Sequence, residues 1–320
     1  MNNQITRSPA LNEPGKVKSY FAFLKKDLIK FWGIYMMFLP VLAFYLVFHY
    51  APMYGAQIAF KDYSPGLGIV GSSWVGLKHF TNFFTSPNGW RIIRNTVFIS
   101  GLTLFFGFPA PIILALLINE IKSRATKKFV QTVTYLPYFI SMMVVCSLII
   151  NFTSKNGLIN DISALFGGTR TSFLLEARYY RTVHVVSGVW QNMGWNSIIY
   201  LAALSAVDQE LYEAAVIDGA GRWKQTVHIT VPSIMNTIVI MLILRTGQLM
   251  SVGAEKILLL YTPTTYETAD VISTYVYRRG LQEFSYSFSS AVGLFNSVVN
   301  LLFVSVANAI SRRYSETSLW

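Results

Sequence analysis

The residues that could do chemistry in this 320-residue chain are few and far apart. The single cysteine, Cys146, and the four histidines, His49, His79, His184 and His228, fall in five different regions and form no metal-ligand spacing. The sequence contains no GxxxxGK(S/T) phosphate loop, no HExxH and no GxSxG. We therefore predict no catalytic residue, no metal site, no cofactor site and no ATPase activity on this chain.

Several polar side chains stand within apolar sequence, where they are costly to place. Arg245 is near the middle of the apolar stretch 233–253, and a charge at the centre of a membrane helix costs about 2.5–3.5 kcal/mol. Gln248 follows it one helical turn later. A second polar group at helical neighbour spacings consists of Gln191, Asn192, Trp195 and Asn196. Such residues either bind a polar ligand or hydrogen-bond between helices, and the sequence leaves both interpretations open.

The composition indicates what kind of element must position these residues. Hydrophobic residues make up 53% of the chain and charged residues only 13%, whereas a soluble domain has about 25% charged residues. These proportions exclude a disordered chain and argue against a soluble one. The net charge of +11 fits Lys and Arg that fix membrane topology, because no basic stripe interleaved with aromatics suggests nucleic acid. We predict an all-α integral membrane protein.

Six stretches are long and apolar enough to cross a bilayer, which takes about 20 residues. Five of the six contain no Asp, Glu, Lys or Arg. The exception is the stretch 233–253, whose one charged residue is Arg245. The predicted transmembrane helices are 31–51, 95–117, 130–152, 184–206, 233–253 and 288–310. Prolines within the charge-free stretches predict kinks. They are Pro40, Pro109, Pro111 and Pro137.

The basic residues predict the orientation of these spans. With the N-terminus inside, the cytoplasmic segments carry 14 Lys and Arg in about 73 residues, against 11 in about 91 residues outside. The loop 120–128 contributes four of them. We expect both termini in the cytoplasm, with a basic segment at 1–30, a transmembrane domain at 31–311 and a tail at 312–320.

The segment 207–232, between the fourth and fifth spans, is the most informative loop. Asp208 is placed to cap a short helix that runs to about Ile217. Gly219 and Gly221 end this helix, and a second short helix leads to Pro232. The sequence thus predicts a helix, a glycine turn and a helix at the inner membrane face.

This loop resembles the cytoplasmic signature of membrane subunits of ATP-binding-cassette importers, which reads EAA, three residues, G, nine residues, I, one residue, LP. Here Glu213-Ala214-Ala215 is followed at those spacings by Gly219, Ile229 and Val231-Pro232. The one departure is Val231 in place of leucine. Weaker matches are to the sugar-importer branch: 74–77 with Phe80, Asn95-Thr96, Leu136-Pro137 with Ile140-Ser141, 157–160, and Asp218-Gly219-Ala220. Together they cover about 30–315.

The resemblance implies a bacterial cytoplasmic-membrane permease that imports a sugar or oligosaccharide, often a uronic-acid or other polysaccharide fragment. It implies a second homologous permease, two cytoplasmic subunits that bind ATP and Mg²⁺, and an extracellular solute-binding protein. The coupling contact with the ATPase then falls on Glu213, Ala214, Ala215, Asp218 and Gly219. A permease for another small polar solute, or a self-contained secondary transporter, is the alternative.

The resemblance also implies that the spans flanking the loop contact the sugar. Carried over, the substrate path consists of Gln191, Asn192, Trp195, Asn196, Arg245 and Gln248. Amides can bond sugar hydroxyls, an indole can stack on a pyranose face, and Arg245 can bind an anionic or polyhydroxylated sugar. The outer segment 52–94 is expected to meet the solute-binding protein or to form an aromatic belt at the membrane surface.

Overall fold

A computed structural model describes residues 26–314 of the chain. Most of the predicted basic segment 1–30 and most of the tail 312–320 lie outside the described residues. The chain divides into two units, of which the first ends at Gln57 and the second begins at Ile58.

The first unit contains one apolar helix, α1 (Trp32–Tyr45). A π-helical turn, Leu46–Tyr50, and a short turn, Ala51–Met53, continue it into the 3-10 helix Tyr54–Phe60, which leads into the second unit. Pro40 lies inside α1 without ending it. The stretch 32–60 is long and apolar enough to cross a membrane and contains all but the first residue of the predicted span 31–51.

The second unit is built almost wholly of helices. Its helices of six or more residues are α2 (Lys78–Thr85), α3 (Pro87–Gly107), α4 (Pro109–Asn119), α5 (Arg124–Tyr135), α6 (Met142–Thr153), α7 (Leu158–Leu165), α8 (Ala177–Ser205), α9 (Gln209–Ile217), α10 (Met235–Thr246), α11 (Ala254–Leu260), α12 (Ile272–Tyr277) and α13 (Tyr286–Tyr314). Shorter helical turns lie at Gly68–Gly71, Leu136–Phe139, Phe173–Leu175, Arg222–Gln225, Thr226–Thr230, Val231–Ser233, Pro263–Thr265, Tyr266–Ala269 and Arg278–Gln282. Two short strands, β1 (Lys61–Asp62) and β2 (Ser73–Trp74), pair antiparallel.

Four stretches of the described chain are long and apolar enough to span a membrane: Trp32–Phe60, Pro87–Asn119, Met142–Leu165 and Tyr286–Arg313. The pair Arg222–Ser233 and Met235–Thr246, bent by 60°, makes a fifth if it is one span. The predicted span 184–206 lies, except for its last residue, inside α8, a 29-residue helix that carries the polar group at 191–196. A multi-helix membrane protein is confirmed, and the count of six spans stays a prediction.

Three predicted spans are interrupted, and proline explains two of the interruptions. The helix through 95–117 breaks at Phe108, where Pro109 begins α4, and the stretch 130–152 breaks at the 3-10 turn that contains Pro137. A proline has no N–H to continue the hydrogen-bond ladder, so a new helix starts there. In 233–253 the helix ends at Thr246, earlier than predicted.

Helix α8 is the central element of the second unit, since it packs on α3, α4 and α5. Its crossing with α5 is very close: a Cβ atom added to Gly194 would lie 1.9 Å from the carbonyl oxygen of Thr134. Only glycine fits this crossing, as in the small-residue contacts of membrane helices. The apolar core around α8 includes Ile99, Val145 and Tyr180, all fully buried.

A buried ion pair fastens the segment that follows α11. Asp270, fully buried, accepts a hydrogen bond of 2.6 Å from Arg278 Nη2 and one of 2.8 Å from Thr274 Oγ1. The side-chain amide of Asn95, on α3, donates to the carbonyl oxygens of Glu267 (2.9 Å) and Asp270 (3.0 Å). These bonds satisfy the carboxylate and fix 266–278 against α3.

We expect Asp270→Ala to destabilise the fold by about 3–5 kcal/mol, because it leaves the Arg278 charge unpaired in a mostly buried site. The buried thiol of Cys146 reports unfolding, so the measurement is the temperature at which a thiol-reactive dye labels the purified chain. Asp161→Ala is the control: its ion pair with Arg170 is exposed, and its loss is expected to cost at most about 1 kcal/mol. Equal labelling temperatures for the two variants would contradict the role given to Asp270.

Candidate functional site

The loop 207–232 is a helix, a left-handed turn and a second helix. The side chain of Asp208 accepts a hydrogen bond from the Glu210 N–H (3.0 Å) and caps α9, as the sequence predicts. At the other end Gly219 has φ +73°. The N–H groups of Gly219 and Ala220 donate back to the carbonyl oxygens of Val216 (3.0 Å) and Ala215 (2.8 Å), which is the Schellman arrangement.

Three side-chain contacts brace this loop. The hydroxyl groups of Tyr212 and Thr230 lie 3.0 Å apart and tie α9 to the helical segment before α10. The Gln225 amide donates to the carbonyl oxygen of Ala220 (2.8 Å) and closes the turn. Arg222 forms a 2.7 Å ion pair with Glu120, at the end of α4. The loop is therefore connected both to α10 and to α4.

The outer surface of the loop is exposed and partly apolar. Four of the predicted coupling residues, Glu213, Ala214, Asp218 and Gly219, are exposed, and Ala215 is half-buried. Beside them Ile217 is 86% exposed and Trp223 is 79% exposed, which is unusual for side chains this large. The sequence analysis did not assign these two residues to the coupling contact. Two large apolar side chains in a polar loop would have been a reason to include them. The surface formed by 213–223 has the character of a docking face.

The second candidate site is a cavity of about 310 Å³ beside α8. Its wall combines α3, α8, the end of α10, the turn 247–253 and the start of α11. The residues that line it include Ser100, Thr103, His184, Gly188, Gln191, Asn192, Asn196, Arg245, Gln248, Ser251 and Lys256. This volume suits one or two sugar rings or a comparable small polar ligand.

Five of the six residues predicted for a substrate path meet at this cavity, namely Gln191, Asn192, Asn196, Arg245 and Gln248. Arg245 lies in the last turn of α10, and Gln248 lies in the turn that follows, outside the helix in which the sequence placed it. The sixth, Trp195, is outside the cavity wall. Its indole ring stacks on Tyr138, with centroids 4.8 Å apart and an interplanar angle of 4°.

Lys256 and His184 belong to the same wall and were missed by the sequence reasoning. Lys256 is 7% exposed, and its ammonium donates to the His184 carbonyl oxygen at 3.1 Å. Burial lowers the pKa of Lys256 to about 8, so the side chain is still mainly protonated at pH 7. A lone lysine directly before the apolar run 257–260 was the available signal, but the sequence assigned this segment to an outer loop.

The cavity is electropositive. Two of the lining residues, Arg245 and Lys256, are cationic, and none of those described is Asp or Glu. Among residues 26–314, the side chain of Arg245, which is exposed, makes neither a hydrogen bond nor an ion pair. Two further wall atoms, Gln191 Oε1 and His184 Nδ1, are buried without a hydrogen-bond partner in the described chain. Buried polar groups of this kind normally have partners, so the wall is suited to a ligand rich in hydroxyl and anionic groups.

No metal site emerges from the described residues, where no three His, Cys, Asp or Glu side chains lie close enough to hold an ion. The two candidate sites are therefore a docking face at 213–223 and a cationic polar cavity.

Comparison with known proteins agrees with this architecture. Residues 107–316 match the family model described as "Binding-protein-dependent transport system inner membrane component". The chain is 45% identical to the polygalacturonan/rhamnogalacturonan transport system permease protein YteP of Bacillus subtilis, over 90% of each chain. It is 43% identical to Protein LplB of the same organism, over 96% of this chain and 95% of that one.

A solved structure contains a chain that is as similar in sequence to this protein as YteP is. The chain superimposes, with a TM-score of 0.85 and 45% identity, on a chain of a bacterial alginate ABC transporter crystallised with its alginate pentasaccharide-bound periplasmic protein. The match covers 92% of this chain and 99% of the other. A second structure, of an ABC transporter that imports the acidic polysaccharide alginate, gives a TM-score of 0.84 at 46% identity.

We expect Gly219→Ala to destabilise the end of α9 by about 1–2 kcal/mol, because an L-residue is strained at positive φ. Gly221→Ala is the matched control, since Gly221 has φ −68° and an added Cβ atom meets nothing within 4 Å at either glycine. Hydrogen exchange should quicken at the amides of 214–220 in the first variant alone. Unchanged exchange in Gly219→Ala would refute the requirement for glycine.

Proposed function

This chain belongs to the family of binding-protein-dependent transport system inner membrane components, and from that premise we propose that it is a permease subunit of an ATP-driven importer of acidic oligosaccharides. The observation that carries the proposal is the 45% identity over nearly the whole chain to a subunit of an alginate importer. The chain is a transport component of the cytoplasmic membrane.

Two observations support acidic oligosaccharides as the substrate class. The relatives are named for polygalacturonan, rhamnogalacturonan and alginate, of which alginate is described as an acidic polysaccharide. The cavity in this chain has two cationic side chains and several amides and hydroxyls in its wall. Amides and hydroxyls hydrogen-bond sugar hydroxyls, and cations pair with carboxylates. A carboxylated oligosaccharide satisfies both kinds of group.

The proposed topology has six spans with both termini in the cytoplasm. The basic loop 120–128 and the loop 207–232 then lie on the inner side, which agrees with the distribution of Lys and Arg. The ion pair between Arg222 and Glu120 supports this arrangement, because it requires the two loops to be on the same side. The segments 61–94, 155–181 and 254–283 lie on the outer side or in the outer half of the bundle.

The proposed contact with the ATPase is the surface 213–223. The small side chains of Ala214 and Ala215 allow close approach, and Ile217 and Trp223 offer apolar area. Glu213 supplies a charge for a basic partner. Two ATPase subunits hold the ATP and Mg²⁺, and a second homologous permease completes the pore. A solute-binding protein delivers the sugar from the outer side, where Trp74 and Trp90 are exposed.

Coupling is proposed to act through rigid helices. Motion of the ATPase displaces α9, and the contact between Tyr212 and Thr230 transfers the displacement to the bent helix pair whose last turn carries Arg245. Packed helices shift as units instead of deforming continuously. Arg245 stands at the cavity, so the same displacement changes the cavity's cationic wall. The substrate path includes Gln191, Asn192, Asn196, Arg245 and Gln248, with Trp195 and its partner Tyr138 next to it.

The orientation is tested by cysteine labelling in a Cys146→Ser background. Lys155→Cys, on the outer side, should react with a membrane-impermeant maleimide in intact spheroplasts. Lys128→Cys, an exposed lysine of the basic loop, should react only after permeabilisation. The reverse pattern would invert the topology and remove the coupling role of 213–223.

We expect Gly219→Asp to keep the chain in the membrane but to abolish copurification of the ATPase and uptake of labelled trigalacturonate. The substitution strains the turn and adds a charge to the docking face. Gly221→Asp places the same charge two residues away at ordinary φ, and it should retain most of the association. Normal uptake by Gly219→Asp would count against the docking face, and lack of any ATPase with the unmodified chain would refute the proposed function.

A further inference from the structure

Lys256 is the most unusual cation of the described chain. It is 7% exposed, and the segment that carries it, α11, packs against α6 and α12 through Ile257 and Leu260. The ammonium has three N–H donors, and one of them bonds to the His184 carbonyl oxygen. Within residues 26–314 the Lys256 ammonium has no other hydrogen-bond partner and no carboxylate within 4 Å. A buried charge without a counter-charge is costly, so its retention needs a reason.

The surroundings of the ammonium point to a ligand. An added Cβ atom on Gly188 would lie 3.4 Å from Lys256 Nζ, so the charge lies directly against the face of α8 that lines the cavity. His184 and Gln191 lie on that face, one helical turn before and after Gly188. Each is more than nine-tenths buried. Their atoms Nδ1 and Oε1 have no partner among the described residues. One cation and two unpartnered polar atoms therefore share one wall.

We propose that Lys256 is a specificity-determining residue that binds the carboxylate of an acidic sugar as it passes through the cavity. Arg245 belongs to the same wall and supplies a second positive charge. His184 and Gln191 bond the hydroxyls of the same sugar residue. A neutral sugar gains only the hydroxyl contacts and leaves the ammonium unpaired, so the cavity discriminates against it. This inference rests on the proposed function, since it concerns a sugar in transit.

A purely structural role for Lys256 makes a different prediction. If the ammonium served only to tie α11 to α8 through the His184 carbonyl, its loss would affect every substrate alike. Lys256→Gln keeps an N–H donor for that carbonyl and removes the charge. Lys256→Arg keeps donor and charge. Lys256→Met is a second neutral variant of similar length, and Lys122→Met, an exposed lysine outside the cavity, is the control.

The experiment uses the whole importer, with its ATPase subunits, partner permease and binding protein, in proteoliposomes. Uptake is measured with trigalacturonate and with its fully methyl-esterified, neutral form. One binding protein preparation serves all variants, so a change in the ratio of kcat/KM for the two sugars comes from the permease. We expect the unmodified importer and the Lys122→Met and Lys256→Arg variants to favour the acid. In Lys256→Gln and Lys256→Met the preference should fall about ten-fold, mainly through a higher KM for the acid.

The outcomes separate the two proposals. An unchanged ratio in the assembled neutral variants, or an equal loss for both sugars, would overturn the role of Lys256 and leave the importer function intact. Equal kcat/KM for the two sugars in the unmodified importer would overturn it without any variant. ATP-dependent uptake of neither sugar would overturn the proposed function for this substrate class, and the inference with it.

Discussion

A polar group placed inside an apolar bundle must find a partner there, and the rest of this structure depends on how that constraint is met. Some groups are satisfied by the chain itself. Asp270 receives bonds from Arg278 and Thr274, and Asn95 bonds two backbone carbonyl oxygens close by. Such groups fasten one element to another. The groups around the cavity are different, because Arg245, Lys256, Gln191 and His184 keep bonding capacity that the described chain does not use. This contrast separates the groups that hold the fold together from the groups that we propose bind a solute.

The two candidate sites are connected through α10. The docking face 213–223 ends where the helical segment before α10 begins, and α10 delivers Arg245 to the cavity. Two braces keep the loop from moving alone: the contact of Tyr212 with Thr230 and the ion pair of Arg222 with Glu120. In the proposed mechanism, force applied at the docking face is shared by α10 and α4. Because α4 packs on α8, the proposed displacement also reaches the α8 side of the cavity.

Breaks in the helices are as important as the helices. Prolines at 109 and 137 divide two predicted spans, and the helix α10 ends at Thr246. After Thr246 the chain leaves the helix and forms the turn 247–253. That turn places Gln248 and Ser251 in the cavity wall. The close crossing at Gly194 brings α8 against α5 without a side chain between them. The early end of α10 thus contributes one part of the cavity wall.

Features that depend on near neighbours in the chain were predictable from the amino-acid order alone. The apolar stretches identified a membrane protein, Asp208 and Gly219 marked the ends of α9, and the EAA spacing indicated the family, because helix caps, turns and hydrophobic runs are decided within a few residues. Which polar residues share the cavity became clear only from the packing of the helices. Lys256 meets His184 across 72 positions of sequence, and Trp195 turns to Tyr138 although it lies among residues that face the cavity. Such contacts depend on how helices cross and where they end. A local sequence pattern does not indicate which residue lies opposite in the bundle.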